Sequence, residues 1–387
     1  MSKQLITFIR DYFSSNEFIP LHAPVFLGKE QEYVADTITS TFVSSVGAYV
    51  ERFESDMATY TGAGKAVATV NGTAALHIAL KLAGVTAGDL VITQPLTFVA
   101  TCNAIAYCNA EPVFIDVDRE TLGLSAKALE IWLVENALLD SDGVCRTKTD
   151  HKIIRACVPV HTFGHPVDLE GLLAVTQCWN ITLVEDAAES LGSFYKGKHT
   201  GTFGALGTLS FNGNKIMTTG GGGMILAASE EIGTHAKHLT TTAKKPHPYE
   251  YIHDEVGYNY RLPNLNAALG CAQLEQLEAF IAAKRQLANS YEQALSGTNL
   301  SFVKEPENCR SNYWLNAVIC EDKTHRDELL DVTNKQGVMT RPIWALMNHL
   351  SMYKACRSGD LTNAEWLEER VVNLPSSVII SKSSVVF

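Results

Sequence analysis

The stretch Ser210-Phe-Asn-Gly-Asn-Lys215, followed by Gly220-Gly-Gly-Gly223 and preceded by the acidic strand end Val184-Glu-Asp186, decides how this chain reads. A lysine can carry pyridoxal phosphate as a Schiff base, and an Asp that closes a buried strand can keep the pyridine nitrogen protonated. Taken singly, a lysine is ordinarily a solvated surface residue and an Asp after a strand ordinarily caps a turn. Together, with the Ser210 hydroxyl available to a phosphate and glycines that let the backbone pass close to a ligand, Lys215 and Asp186 imply this cofactor.

Working outward, short apolar runs alternate with longer amphipathic ones from about residue 65 to 228. The runs are Ala66 to Val70, Leu90 to Ile92, Pro112 to Ile115, Ile153 to Val160 and Ile181 to Val184. This repetition predicts an α/β fold with a mostly parallel central sheet and helices on both faces. Ligands then sit at the carboxyl ends of the strands, where Asp186 falls. Near residue 265 the pattern becomes helical, from Leu265 to about Leu295, with Leu269, Leu274, Leu277 and Ile281 at helical spacing. It marks the passage from an N-terminal segment and large domain, residues 1–264, to a smaller C-terminal α+β domain, residues 265–387. That smaller domain is expected to hold strands around Tyr313 to Cys320 and Val338 to Thr340, with a helix between them.

The composition excludes several classes of protein. The 387 residues are 46% hydrophobic, enough for a large core. A net charge of -11, with no block of Lys and Arg, argues against a nucleic-acid partner. The nine cysteines include no CxxC pair, so neither a disulfide framework nor a zinc site is expected. His161, His165, His199 and His349 lack metal-ligand spacing, and no metal is expected. No segment has eighteen apolar residues in a row, and the first twenty mix Lys3, Arg10, Asp11 and Glu17 with apolar side chains. The expectation is a soluble cytoplasmic protein without a membrane partner.

Around the lysine and the aspartate, further residues take places. In Asn71-Gly-Thr-Ala-Ala-Leu-His77, Gly72 and Thr73 stand between an apolar strand and an amphipathic helix, where free N–H groups and the positive helix end suit a phosphate. A threonine there is ordinarily a plain N-cap. Phe98 opens a helix after the next strand, at the same rim of the sheet, placed to stack on a flat heteroaromatic ring. Glu189, three residues after Asp186, is expected near the same ring.

These motifs resemble a known family. Val46-Gly, Phe53-Glu54, Asn71-Gly-Thr-Ala-Ala-Leu, Leu96-Thr-Phe-Val-Ala-Thr101, Pro159-Val-His161, Val184-Glu-Asp-Ala-Ala188, Ser210 to Lys215 and Gly257-Tyr-Asn-Tyr-Arg-Leu-Pro-Asn264 are similar in order and wording to the DegT/DnrJ/EryC1/StrS nucleotide-sugar aminotransferases. The resemblance runs from about Ile19 to His349. It implies the type I aspartate aminotransferase fold, a homodimer with shared active sites, and transfer of an amino group from L-glutamate to a keto sugar nucleotide, with pyridoxamine phosphate formed between the halves. It also implies that Lys215 is the Schiff-base lysine, that Asp186 pairs with the pyridine nitrogen, and that Phe98 stacks on the ring. Gly72, Thr73 and Ser210 hold the phosphate, and Asn259 reaches the phosphate of the other subunit's cofactor.

Within the family, Phe18-Ile-Pro-Leu-His-Ala-Pro-Val-Phe26 and Phe42-Val-Ser-Ser-Val-Gly47 resemble the branch acting at C4 of 4-keto-6-deoxy-2-acetamido sugars, which are UDP-linked. A GDP-linked 4-aminotransferase, a dTDP-sugar C3 aminotransferase and a non-catalytic regulator sensing sugar nucleotides are the alternatives. Ser44, Ser45, Tyr313, Arg341 and Trp344 are the expected nucleotide-sugar contacts, Arg341 because its planar fork matches diphosphate oxygens. Two positions depart from the family's pattern. Gly221 stands where many members have Glu, and Glu189 stands where Gln or His is often found beside the cofactor's phenolic oxygen.

Overall fold

A computed structural model describes residues 2–380. Seven strands form the central sheet: β1 (Lys65–Thr69), β2 (Leu90–Thr93), β3 (Glu111–Phe114), β4 (Ile154–Val158), β5 (Thr182–Asp186), β6 (Leu206–Ser210) and β7 (Gly223–Ala227). Their spatial order is β1-β7-β6-β5-β4-β2-β3. β7 runs antiparallel to both its neighbours, and the pairs β6·β5, β5·β4, β4·β2 and β2·β3 are parallel.

Alternate residues of each strand feed opposite faces, and both faces are apolar because helices cover both. On one face Ala66, Ala68, Met224 and Leu226 pack with Phe53 and Met57 of α2 (Ala48–Thr61) and with Ala267 and Cys271. On the other, Val67, Ile225 and Val184 pack with Ile78 of α3 (Gly72–Leu82), Ile105 of α4 (Val99–Tyr107) and Leu239.

The long helix expected from Leu265 to about Leu295 is two helices, α5 (Asn264–Leu274) and α6 (Leu277–Leu295). No Gly or Pro marks the break. It sits where the Gln273 and Gln276 side-chain amides both donate to Glu30, a carboxylate only 5% exposed. A buried carboxyl group needs such donors.

The smaller sheet joins β8 (Ser301–Phe302), β9 (Asn316–Ile319), β10 (Arg341–Pro342) and β11 (Val371–Leu374) in the order β8-β9-β11-β10, all antiparallel. The expected helix is α7 (Lys323–Lys335). The strand expected at Val338 to Thr340 falls slightly later, and Val338 instead bridges Ile19. Leu5, Ile6, Ile9 and Ile19 pack with Leu287, Val318, Leu329 and Val338. The first helical segment therefore packs on elements from the C-terminal part of the chain.

Lys284 of α6 is fully buried, and its ammonium donates to the main-chain carbonyls of Trp314 and Ser376. Burial brings its amine down to about 7. Between that value and the ordinary lysine range the unfolded chain binds the extra proton, so stability rises with pH in that window. Urea unfolding from pH 7 to pH 9 is expected to show a rise approaching ~1.4 kcal/mol per pH unit that Lys284→Met abolishes.

Candidate active site

Asp186 ends β5 beside Thr208 of β6, and its carboxylate turns into a cavity of about 330 Å³ at the carboxyl end of the sheet. It is 7% exposed. One oxygen accepts the Thr101 hydroxyl at 2.8 Å and the other accepts Ala188 N–H at 3.2 Å. Burial pushes this carboxyl up, and Thr101, Ala188 and Lys215 pull only partly against it. The residue before it points to the opposite face. Glu185 is fully buried, accepts N–H groups of Gly201, Phe203 and Gly204, and pairs with His161 at 3.1 Å, which makes it a clamp for that loop.

β6 delivers Ser210 to the same rim, and the turn that follows carries Lys215. Phe211 N–H donates to Gly222 and Thr219 N–H donates back to Phe211, closing the turn over the glycine run. Lys215 Nζ lies 3.3 Å from Glu189 Oε1 and 3.8 Å from the centroid of the Trp314 ring. Glu189, 5% exposed, also accepts Phe163 N–H at 2.9 Å. Burial pushes its carboxyl up, with Lys215 the main opposing influence. Phe163 offers that N–H from a left-handed backbone, φ 58°, rare for a bulky residue and here part of the site.

The opposite end of the cavity is the start of α3. Asn71 caps the helix by accepting Ala74 N–H at 2.7 Å, and Gly72 and Thr73 form the first turn. The first N–H groups of a helix have no partner within it, and the helix end is positive. Two glycines are required here. A Cβ on Gly72 would stand 2.9 Å from Ser210 Cβ, and one on Gly223 would stand about 2.4 Å from the Asn71 backbone. Their absence lets α3 and β6 converge on one small volume.

The cavity thus joins Gly72, Thr73, Phe98, Asp186, Glu189, Ser210, Lys215 and Trp344, together with Gly221. Phe98 is the residue before α4 and is 54% exposed at the rim. Trp344 packs on Phe163 with ring centroids 5.2 Å apart. Four of the other expected residues, Ser44, Ser45, Arg341 and Asn259, do not line it in the single chain. Arg341 is exposed on β10 and donates to Asn334 Oδ1 and the Thr340 carbonyl. Asn259 is exposed and accepts from Arg261.

Tyr313, also expected as a nucleotide-sugar contact, does not line the cavity in the single chain either. Its ring is buried against His165, its hydroxyl accepts Glu305 N–H at 3.0 Å, and burial pushes the phenol up to about 12. Tyr313 has a left-handed backbone, φ 47°, and the next residue, Trp314, lines the cavity instead. The Trp314 indole N–H donates to the Asn214 carbonyl at 2.7 Å, which ties the ring to the lysine turn. The sequence reading also passed over Thr101, four residues after Thr97 in the quoted Leu96 to Thr101 motif, whose hydroxyl is 2.8 Å from that of Thr97. That spacing on a helix start was the available signal.

His161, His165 and His199 are buried, unlike ordinary surface histidines. Away from the cavity, His238, Asp254 and Glu255 gather ligand atoms within 4.8 Å of one another. Lys245 and His238 already pair with Asp254 there.

A carboxylate at one end, a helix start with a serine at the other, a lysine between them and an aromatic ring at the rim fit pyridoxal phosphate in charge and in kind of group. The fold and this donor set are those of a pyridoxal phosphate-dependent aminotransferase. The DegT/DnrJ/EryC1/StrS aminotransferase family model matches residues 27–386, and the chain belongs to that family. It is 36% identical over 371 residues to GDP-perosamine synthase of Escherichia coli O157:H7, covering 96% of each chain. It is 34% identical to GDP-perosamine synthase of Caulobacter vibrioides, covering 95% of each. The aminotransferase TlmJ of Streptoalloteichus hindustanus superposes with a TM-score of 0.84 at 28% identity over 95% of both chains.

Thr101→Val removes a hydroxyl that favours the ionised form of Asp186. Cofactor affinity, titrated by visible absorbance, is expected to fall about tenfold, since a hydrogen bond to a charged group is worth about 1.5–3 kcal/mol. The loss should deepen as pH falls, because the carboxyl then protonates at a higher pH.

Proposed function

We propose that this chain transfers an amino group from L-glutamate to C4 of a nucleotide-linked 4-keto-6-deoxy sugar. The observation that carries this reading is the convergence of Lys215, Asp186 and Ser210 on one cavity under the rim aromatics Phe98 and Trp344. The sequence favoured a UDP-linked acceptor; the two relatives named GDP-perosamine synthase shift the preference to a GDP-linked one.

Bound pyridoxal phosphate supplies an aldehyde to accept the amino group and a ring that stores an electron pair. The residues do the rest. The α3 start and Ser210 hold the phosphate, and Asp186 keeps the ring nitrogen protonated. Phe98 covers the ring face and holds water off it. Lys215, once released by the donor, carries the proton to and from the donor carbon, and in the second half-reaction the same amine serves the sugar carbon in reverse. Trp314 and Glu189 flank the freed amine and keep it in reach.

The pairing of two chains belongs to the same reading. Phe18, Phe26, Phe42 and Val46 are 63%, 51%, 57% and 70% exposed, an apolar run that a second copy would cover, and Ser44 and Ser45 lie within it. Asn259 would then reach the partner's phosphate site, and Ser44, Ser45 and Arg341 would act as sugar-nucleotide contacts in the assembled dimer.

The test is the visible spectrum of the purified protein with pyridoxal phosphate, then L-glutamate, then GDP-, UDP- and dTDP-linked 4-keto-6-deoxy sugars. The cofactor band should form, fade with glutamate, and return with the GDP-linked sugar. Lys215→Ala should form no such band. A band in wild type that glutamate leaves untouched would support the regulator instead.

A further inference from the structure

The cavity holds two buried carboxylates beside Lys215, and the chemistry so far gives a proton role to one. Asp186 has its own donors in Thr101 and Ala188. Glu189 has Phe163 N–H on one oxygen and the Lys215 ammonium, at 3.3 Å, on the other. The charged groups facing it are Lys215, from the turn after β6, and Asp186, from the end of β5. Asn312 meets only its main-chain carbonyl. The charge of Glu189 is therefore compensated by a single cation.

That cation does not last. An amine attacks a carbonyl in its neutral form, so Lys215 must shed a proton before it bonds to the cofactor, and the base within reach is Glu189. We propose that Glu189 takes the proton Lys215 gives up on joining the cofactor. This rests on Lys215 being the cofactor lysine, as read above.

The balance closes within the site. The ammonium carries three protons. As the carbon–nitrogen double bond forms and the carbon–oxygen bond of the aldehyde breaks, two of them leave with the oxygen as water. The third moves 3.3 Å to Glu189 Oε1, and the ion pair becomes a neutral acid beside a neutral nitrogen. Burial favours the same outcome, because a carboxyl 5% exposed is pushed up once its cation is consumed. A glutamine in this place could not make the exchange, because a neutral carboxamide does not take up a proton at neutral pH.

The experiment counts protons released when pyridoxal phosphate is added to the cofactor-free full-length protein in weakly buffered solution at neutral pH, read by an indicator dye. Glu189→Gln keeps the shape and an oxygen for Phe163 N–H but cannot take a proton. It is expected to release about one proton per site more than wild type, and Glu189→Asp should return toward the wild-type count. Equal counts in wild type and Glu189→Gln overturn the proposal. Should the glutamine variant not fold, the infrared difference spectrum of wild type decides: a protonated-carboxyl absorption must appear on adding the cofactor, and its absence overturns the proposal equally. Borohydride reduction followed by peptide mass separates the two readings. Cofactor fixed on Lys215 with equal proton counts removes only the proton transfer, whereas no label on Lys215 removes the assignment beneath it.

Discussion

Burying Glu185, Asp186 and Glu189 within five residues is the constraint around which this end of the sheet is built. A carboxylate taken out of water must find donors or a cation, or it protonates. Each of the three meets that demand differently. Glu185 is held by three N–H groups and His161, Asp186 by a hydroxyl and one N–H, and Glu189 by one N–H and the lysine. The first is fully satisfied and organises the 201–204 loop. The second has fewer donors and is turned toward the cavity. The third depends on one N–H group and one cation, Lys215.

That gradation links the fold to reactivity. Strand alternation sends Glu185 and Asp186 to opposite faces, so one sequence pair supplies both a structural clamp and a site carboxylate. The lysine turn can be tight because glycines remove the Cβ atoms that would separate β6, β7 and the start of α3. Trp314 then connects this rim to the smaller lobe. Its carbonyl accepts from buried Lys284, its indole N–H donates to the lysine turn, and its ring faces the Lys215 ammonium. A change in how the two lobes pack would thus be felt at the reacting nitrogen.

Much of this was legible along the chain, because the signals are local. Apolar runs ending in Asp186 or leading into Gly72 reveal a strand's carboxyl end, and the turn residues around Lys215 reveal where a backbone must bend. The smaller lobe was less legible. Its strands are short, one of the two expected is displaced to Arg341–Pro342, and the first helical segment packs on it from the far end of the sequence. Nothing local to Leu5 or Ile9 names the elements they will meet. The break before Leu277 was also hidden, since no Gly or Pro marks it and the Glu30 that Gln273 and Gln276 meet there is more than two hundred residues away.

The sequence by itself determined the α/β class, and it singled out Lys215, Asp186, Gly72, Thr73 and Ser210, which line one cavity at the carboxyl end of the sheet, since strand periodicity marks that rim and few residue types suit its chemistry. Only the tertiary structure decided which of Tyr313 and Trp314 faces the cavity, that Thr101 holds Asp186, and that Glu189 and Lys215 form a pair. Those facts depend on the direction in which a side chain leaves its backbone and on contacts between segments distant in sequence, and neither is written in the order of the residues.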